Sequence, residues 1–386
     1  MAEFDLLCHG DVWDAADGRR TDRWLAIRDG AIEGEYAERP GDGPVREAAL
    51  FTPGLVDMHV HLVWDGSADP VATLRAESTV ERTVRAAENA RRTLRGGVTT
   101  IRDLGSPDDI AVTVGQAVRA GRLVGPRTVA SGRTVIITAG HDPFWGIESD
   151  GPEACRQAVR AVRGAGAEVV KVSATGGVYG QATGEDPGAA ELSPAELEAV
   201  VDEADRFDLP VAAHAVGRAG IRNAVAAGVD TVEHGNLMDD DTLDAIVAGD
   251  VAYDPTLYVY REIAEGDVPA YAQANARRVV DRHWEVFAEA LESDARIIAG
   301  SDAGSPGTPH PSLHRELACL VEGGMSEAGA LAAATLAAAR ELDRPELGTL
   351  AADTPADVVG FAADPLADIE ATGSPSVVVK NGKLVR

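Results

Sequence analysis

Hydrophobic and polar positions follow two different rhythms along this chain. In residues 1–53, and again near the C-terminus, short alternating stretches such as "RWLAIRDGAIEG" and "SPSVVVKNGKLVR" are broken by Gly and Asp, as expected of small antiparallel strands. Asn381-Gly382 has the composition of a tight hairpin turn. In between, eight short apolar runs are separated by helical stretches: "GLVDMHVHL", "GVTTIRDLG", "RTVASGRTVII", "EVVKVSATGG", "PVAAHAV", "DTVEHGN", "VAYDPTL" and "RIIAGSDAG". The clearest helix is "SPAELEAVVDEADRFD", where Ser193 is the N-cap, Pro194 takes the first helical position and Glu196 completes a capping box. Its apolar stripe is Leu197, Val200, Val201, Ala204 and Phe207.

Strand followed by helix, repeated eight times, predicts parallel strands joined by crossover helices. The expected fold is α/β: a (β/α)8 TIM barrel over residues 54–346, with a small β-sandwich domain built from residues 1–53 and 347–386. A doubly wound open sheet is the alternative, but it would scatter the polar strand ends.

Charge narrows the class of partner. A net charge of −28 opposes binding to nucleic acid or anionic membrane, because phosphates would be repelled over most of the surface. The acid is spread along the whole chain ("MDDDTLD", "AADTPAD"), and only three of 35 basic residues are lysines. That bias fits a salt-loving source, where surface carboxylates hold water and screening suppresses self-repulsion, with a high-GC bacterium as the competing explanation. No run approaches the apolar length of a membrane helix, and the start lacks the basic-then-apolar pattern of a signal peptide, so a cytoplasmic location is expected. Cys8, Cys155 and Cys319 are far apart, which suits reduced thiols and excludes a thiolate zinc cluster.

The polar residues within the apolar runs carry the chemistry. Lys171 is flanked by Val169, Val170 and Val172, and an unpaired ammonium there would be costly, so it must be neutralised, paired or chemically changed. His59 and His61 are two apart, so on a strand both imidazoles point the same way, as a metal chelate requires. His214 and His234 each close a strand and Asp302 follows the eighth; singly, each also fits a hydrogen-bonded histidine or a helix cap. Together they converge on the C-terminal mouth of a closed barrel, where barrel enzymes keep their active sites. The Gly-rich "SATGGVYGQATGEDPG" lacks the GK[ST] ending of a phosphate loop and reads as an active-site loop.

This pattern resembles the amidohydrolase superfamily: HxH on strand one (His59, His61), lysine on strand four (Lys171), histidines on strands five and six (His214, His234), and aspartate on strand eight (Asp302). "KVSATGGV", "TAGH" and "GSDAGSPGTPH" are most similar to the branch holding metal-dependent Xaa-Pro and Xaa-Arg dipeptidases, aryl-amide hydrolases and imidazolonepropionase-like proteins. The resemblance implies two divalent metal ions, zinc by ligand type, with carbon dioxide carbamylating Lys171 into a bridging ligand. It implies a metal-bridging hydroxide that cleaves an amide C–N bond, with Asp302 as general base and then acid. His141 resembles the family histidine that stabilises the oxyanion, or is a loop residue beside Asp142. Tyr258 and Arg261 are the expected holders of a substrate carboxylate, and both also suit loop packing. The implied substrate is a small molecule, a dipeptide or N-acyl amino acid, and the implied assembly a homo-oligomer. A mononuclear cyclic-amide hydrolase or deaminase, and an inactive scaffold, are the competing readings. "DPFWG" offers aromatics for an apolar side-chain pocket.

Overall fold

A computed structural model describes residues 2–180 and 185–386 of the chain. Its barrel runs through Leu55–Val60, Val98–Asp103, Arg127–Ala130 with Thr134–Ile136, Val170–Ser173, Val211–Ala215, Thr231–His234, Ala252–Asp254 and Arg296–Ile297. These are barrel strands one to eight, and every pairing between neighbours is parallel. Strand eight has only two residues of regular ladder, yet its extended continuation closes the ring: Met58 N donates to Ala299 O, Asp302 N to His59 O and His61 N to Ala303 O. Strands four to six are buried throughout, as parallel strands covered on both faces must be.

The third run, expected as one strand, is broken. Arg127–Ala130 pairs with strand two, whereas Thr134–Ile136 pairs with strand four, Thr134 lying opposite Lys171. Gly132 at φ +65° makes the turn between them, in a region that Gly enters without the steric penalty of a Cβ. The helix at Pro194–Asp205 has the expected capping box, with Ser193 N donating to Glu196 Oε2 at 2.8 Å. Phe207 lies beyond that helix, with the Arg163 guanidinium 4.1 Å from its ring centroid.

Strands from both termini form one mixed seven-stranded sheet, in the order Lys383–Leu384, Pro375–Lys380, Val358–Phe361, Val45–Pro53, Leu6–Asp14, Gly18–Arg28, Ala31–Tyr36. The sheet curls until the Asn381-Gly382 turn meets the turn at Gly30; a Cβ on Gly382 would lie 2.6 Å from Gly30 Cα. Leu6, Cys8, Leu25, Ile27, Phe51 and Val358 fill the interior of that curl. The Val45–Pro53 strand leads directly into barrel strand one, so the terminal sheet fixes where the HxH strand begins. Among the described residues no helix is long and apolar enough to cross a membrane.

Candidate active site

At the C-terminal mouth of the barrel one cavity is lined by His59, His61, Lys171, His214, His234 and Asp302 together with His141. Asp302 Oδ1 lies 3.4 Å from His61 Nε2 and 3.9 Å from His59 Nε2. The His214 and His234 rings are 4.7 Å apart between centroids, and His59 and His234 5.1 Å. Two of these residues sit in left-handed backbone where a strand ends: His234 at φ +74° and Asp302 at +52°. The β-branched Thr256, at +49° after strand seven, is a further outlier, and such strain persists only where the surroundings enforce it.

Each histidine is oriented through its other nitrogen. His59 Nδ1 meets Glu233 Oε2 at 2.9 Å, His61 Nδ1 meets Gly105 O at 3.2 Å, His234 Nδ1 meets Thr256 Oγ1 at 2.7 Å, and His214 Nε2 meets Gly176 O at 3.2 Å. This is how proteins fix the tautomer and aim of metal-binding imidazoles. Burial drives His59, His214 and His234 well below their ordinary range and His61 down to about 3, with the charge of Lys171 adding to the effect. They are therefore neutral, each with a lone pair to offer a cation. Burial pushes Asp302 up to about 7, opposed by a hydrogen bond from Ser305 Oγ at 2.8 Å.

His59, His61 and Asp302 bring three ligand atoms within 4.8 Å of one another, as a divalent cation requires. His59, Glu233 and Asp254 also meet that criterion, but Arg102 already occupies the second cluster. Its guanidinium donates to Glu233 Oε1 at 2.7 Å, Thr231 Oγ1 at 3.0 Å and Met58 O at 2.7 Å, and lies 3.9 Å from Asp254 Oδ2. Lys171 is 1% exposed and its Nζ has no hydrogen-bond partner among the described residues. Burial lowers its basicity, while Glu233 and Asp142 act against that.

His141 stacks on His214 with centroids 4.2 Å apart, and its Nδ1 is bonded to Glu185. Burial opposes its protonation, but Asp142 and Glu185 prevail and raise it to about 9. Gly177 is required here, because a Cβ would stand 2.2 Å from His141 Cε1. Of the expected glycine-rich loop, residues 181–184 lie outside those described.

Tyr258 and Arg261 are not brought to this cavity. Tyr258 packs beneath the Arg315 guanidinium, and Arg261 pairs with Glu322 at the surface. Tyr260, which the same stretch of sequence offered beside the preferred Tyr258, lines the cavity instead, its ring 5.3 Å from that of His234. Arg102 and Glu233 were missed, though both are charged residues inside apolar strands, the signal that singled out Lys171.

A sequence model of the amidohydrolase family matches residues 50–385, which span the barrel and the C-terminal strands of the sheet. The chain belongs to the amidohydrolase family. It is accordingly a hydrolase of amide C–N bonds. An ochratoxinase from Aspergillus niger is 30% identical over 376 residues, covering 87% of this chain and 76% of the relative. Among solved structures, a Xaa-Pro dipeptidase with methionine bound in its active site superposes with a TM-score of 0.89 at 27% identity, over 98% of this chain and 99% of that one. A prolidase complexed with N-methylphosphonate-L-proline gives a TM-score of 0.89 at 26% identity, with 98% of each chain covered.

Proposed function

We propose that this amidohydrolase is a binuclear-metal amidase that cleaves a dipeptide or an N-acyl amino acid. The observation that carries the reading is Lys171, buried among imidazoles, whose Nζ has no hydrogen-bond partner among the described residues. Addition of neutral Nζ to carbon dioxide forms an N–C bond and releases a proton, giving a carbamate whose single negative charge is shared by two oxygens. That change relieves the desolvated amine and supplies an oxygen ligand that an ammonium cannot. His59, His61 and Asp302 would hold one divalent cation and His214 with His234 the other, the modified Lys171 serving both. Imidazole and carboxylate without thiolate suit zinc. When bound, such a pair lowers the pKa of water and polarises the scissile carbonyl.

Asp302 is placed for proton transfer, its Oδ1 held by the Ser305 hydroxyl at 2.8 Å beside the two imidazoles of the HxH pair. It can accept the proton of the attacking water and deliver it to the departing amine. His141, raised to about 9 by Asp142 and Glu185 against burial, is charged at neutral pH and can donate to the oxygen that gains charge in the transition state. The relatives named Xaa-Pro dipeptidase, prolidase and ochratoxinase support an amide substrate.

The test is to purify the protein with bicarbonate, measure metal per chain, and screen dipeptides and N-acyl amino acids on that same sample. About two cations per chain with amine release, both lost in Lys171→Ala, is the expected result. A single cation per chain with no cleavage of these linear substrates would favour the mononuclear cyclic-amide hydrolase.

A further inference from the structure

The five large apolar side chains that stand exposed among the described residues lie on one side of the molecule. Val80 (72% exposed) and Val84 (66%) are on the helix at Thr79–Arg95, and Leu123 and Val124 (63%) are on the loop that ends at Gly125. Leu384 belongs to the neighbouring edge strand, whose partner strand supplies Lys380 Nζ to Gly125 O at 2.7 Å. We infer that this face binds a second copy of the chain, the Thr79–Arg95 helices packing antiparallel about a two-fold axis near Val84.

The inner side of that helix is committed to the barrel. Ala86, Ala90 and Leu94 are buried, Asn89 Nδ2 donates to Leu62 O at 3.0 Å and to Trp64 O at 2.9 Å, and Arg85 Nε donates to Val63 O at 3.0 Å. Val80 and Val84, one turn apart, stand on the outer side. The loop carrying Val124 lies against the same helix further along, since a Cβ on Gly125 would be 3.2 Å from Ala90 Cβ. Val80 is about 6 Å from Val84 along the axis, and Ala90 about 9 Å from it in the other direction. Reversing the helix about Val84 therefore lays Val80 of each copy near Val124 of the other, and Val84 on itself. Such a contact is isologous and closes at two copies.

Charge selects a second copy as the occupant. The helix carries five arginines against two glutamates, in a chain with 35 basic and 63 acidic residues, so repulsion between two acidic copies is weakest on this face. The order of charge along it is self-complementary under the same two-fold. Glu81 is exposed at the N-terminal end and Arg92 at the C-terminal end, within about 20° of each other around the axis. Antiparallel packing places Glu81 of one copy against Arg92 of the other, twice, with each arginine leaning towards its own N-terminus to meet the acid. The helix is 17 residues, about 25 Å, and even with the loop the face is small for a permanent dimer, so micromolar dissociation is expected.

The experiment is sedimentation velocity on the full chain in about 0.1 M KCl, over a dilution series starting near about 100 µM. The wild type should reach at least twice the chain mass and dissociate in the micromolar range. Val84→Glu, which buries two like charges on the axis, should weaken association by roughly 100-fold while the unfolding midpoint of the exposed-site variant stays unchanged. Glu81→Arg and Arg92→Glu should each weaken it about fivefold, and the double exchange should recover most of that loss, because the reversed pairs form again across the two-fold. A wild type that is monomeric throughout, or a Val84→Glu mass equal to that of the wild type, overturns the inference. Single reversals that the double exchange does not rescue overturn it as well, since the antiparallel arrangement is part of the claim.

Discussion

Removing Arg102 should damage both the fold and the metal site, because the residue bridges four barrel strands under the active site. Its side chain is 3% exposed and those of Glu233 and Asp254 are fully buried. Arg102→Met leaves Glu233 without its cation and strands Met58 O, while the Thr231 hydroxyl keeps its bond to Glu233 Oε1. Breaking a buried pair from one side costs about 3–5 kcal/mol, since the remaining charge is not solvated. Burial and Glu233 already push the Asp254 carboxyl well above its usual range, so the second acid can take up a proton and soften the loss. We therefore expect a loss of roughly 3 kcal/mol, at the lower end of that interval. It is measured as the shift of the first urea transition of metal-free protein followed by tryptophan fluorescence. Arg102→Met/Glu233→Gln should recover more than half, because the stranded charge is gone. The same single change frees Glu233 from its hold on His59 Nδ1, and loss of such an orienting contact weakens metal binding by about 10–100-fold. A loss below about 1 kcal/mol in the single variant, or no recovery in the double, would refute the buried-charge account.

Other outcomes follow from the same geometry. Gly177→Ala should cut kcat by roughly 100-fold through displacement of His141, since the added Cβ would stand 2.2 Å from that ring. Lys380, lowered to about 8 by burial against the pull of Asp357, binds its proton less tightly when folded than when unfolded. Stability contributed by this group is therefore full above the unfolded value of 10.5 and is lost as pH falls towards 8. Lys380→Met should flatten that rise in a pH series of unfolding midpoints and gain about 1–2 kcal/mol at pH 7, after the lost hydrogen bond to Gly125 O is counted. With a net charge of −28, the melting temperature should climb as KCl is raised from about 0.1 to 2 M; a flat response would remove self-repulsion as an explanation of the acidic surface.

Barrel, strand order and the residues that line the mouth were legible because each rests on a local rule. Alternation of apolar strand and amphipathic helix gives the parallel ring, and strand periodicity puts His59 and His61 on one side. Lys171 was conspicuous because a cation in an apolar strand contradicts its surroundings. Arg102 and Glu233 break the same rule, but each looks unexplained until strands two and six are brought together by closure. The break in strand three was hidden for a related reason. Ser131, Gly132 and Arg133 are compatible with a continuous strand, and only the demands of two different neighbours divide it.

The tyrosines after strand seven show where local rules run out. Read as a continuation of the extended chain, Tyr258 and Tyr260 are two apart and would share a side, so either could meet the substrate. The chain instead turns sharply at Thr256, φ +49°, and enters a helix at Leu257–Glu265. Two residues then differ by about 200° around the axis, which sends the rings to opposite faces. Glu316, from a later helix, enforces that start by accepting the Leu257 and Tyr258 N–H groups at 2.9 and 2.7 Å. The carboxylate serving as the N-terminal cap thus comes from 58 residues downstream, where no neighbouring motif announces it. One long-range cap decides that Tyr260, and not Tyr258, faces His234 and the cavity.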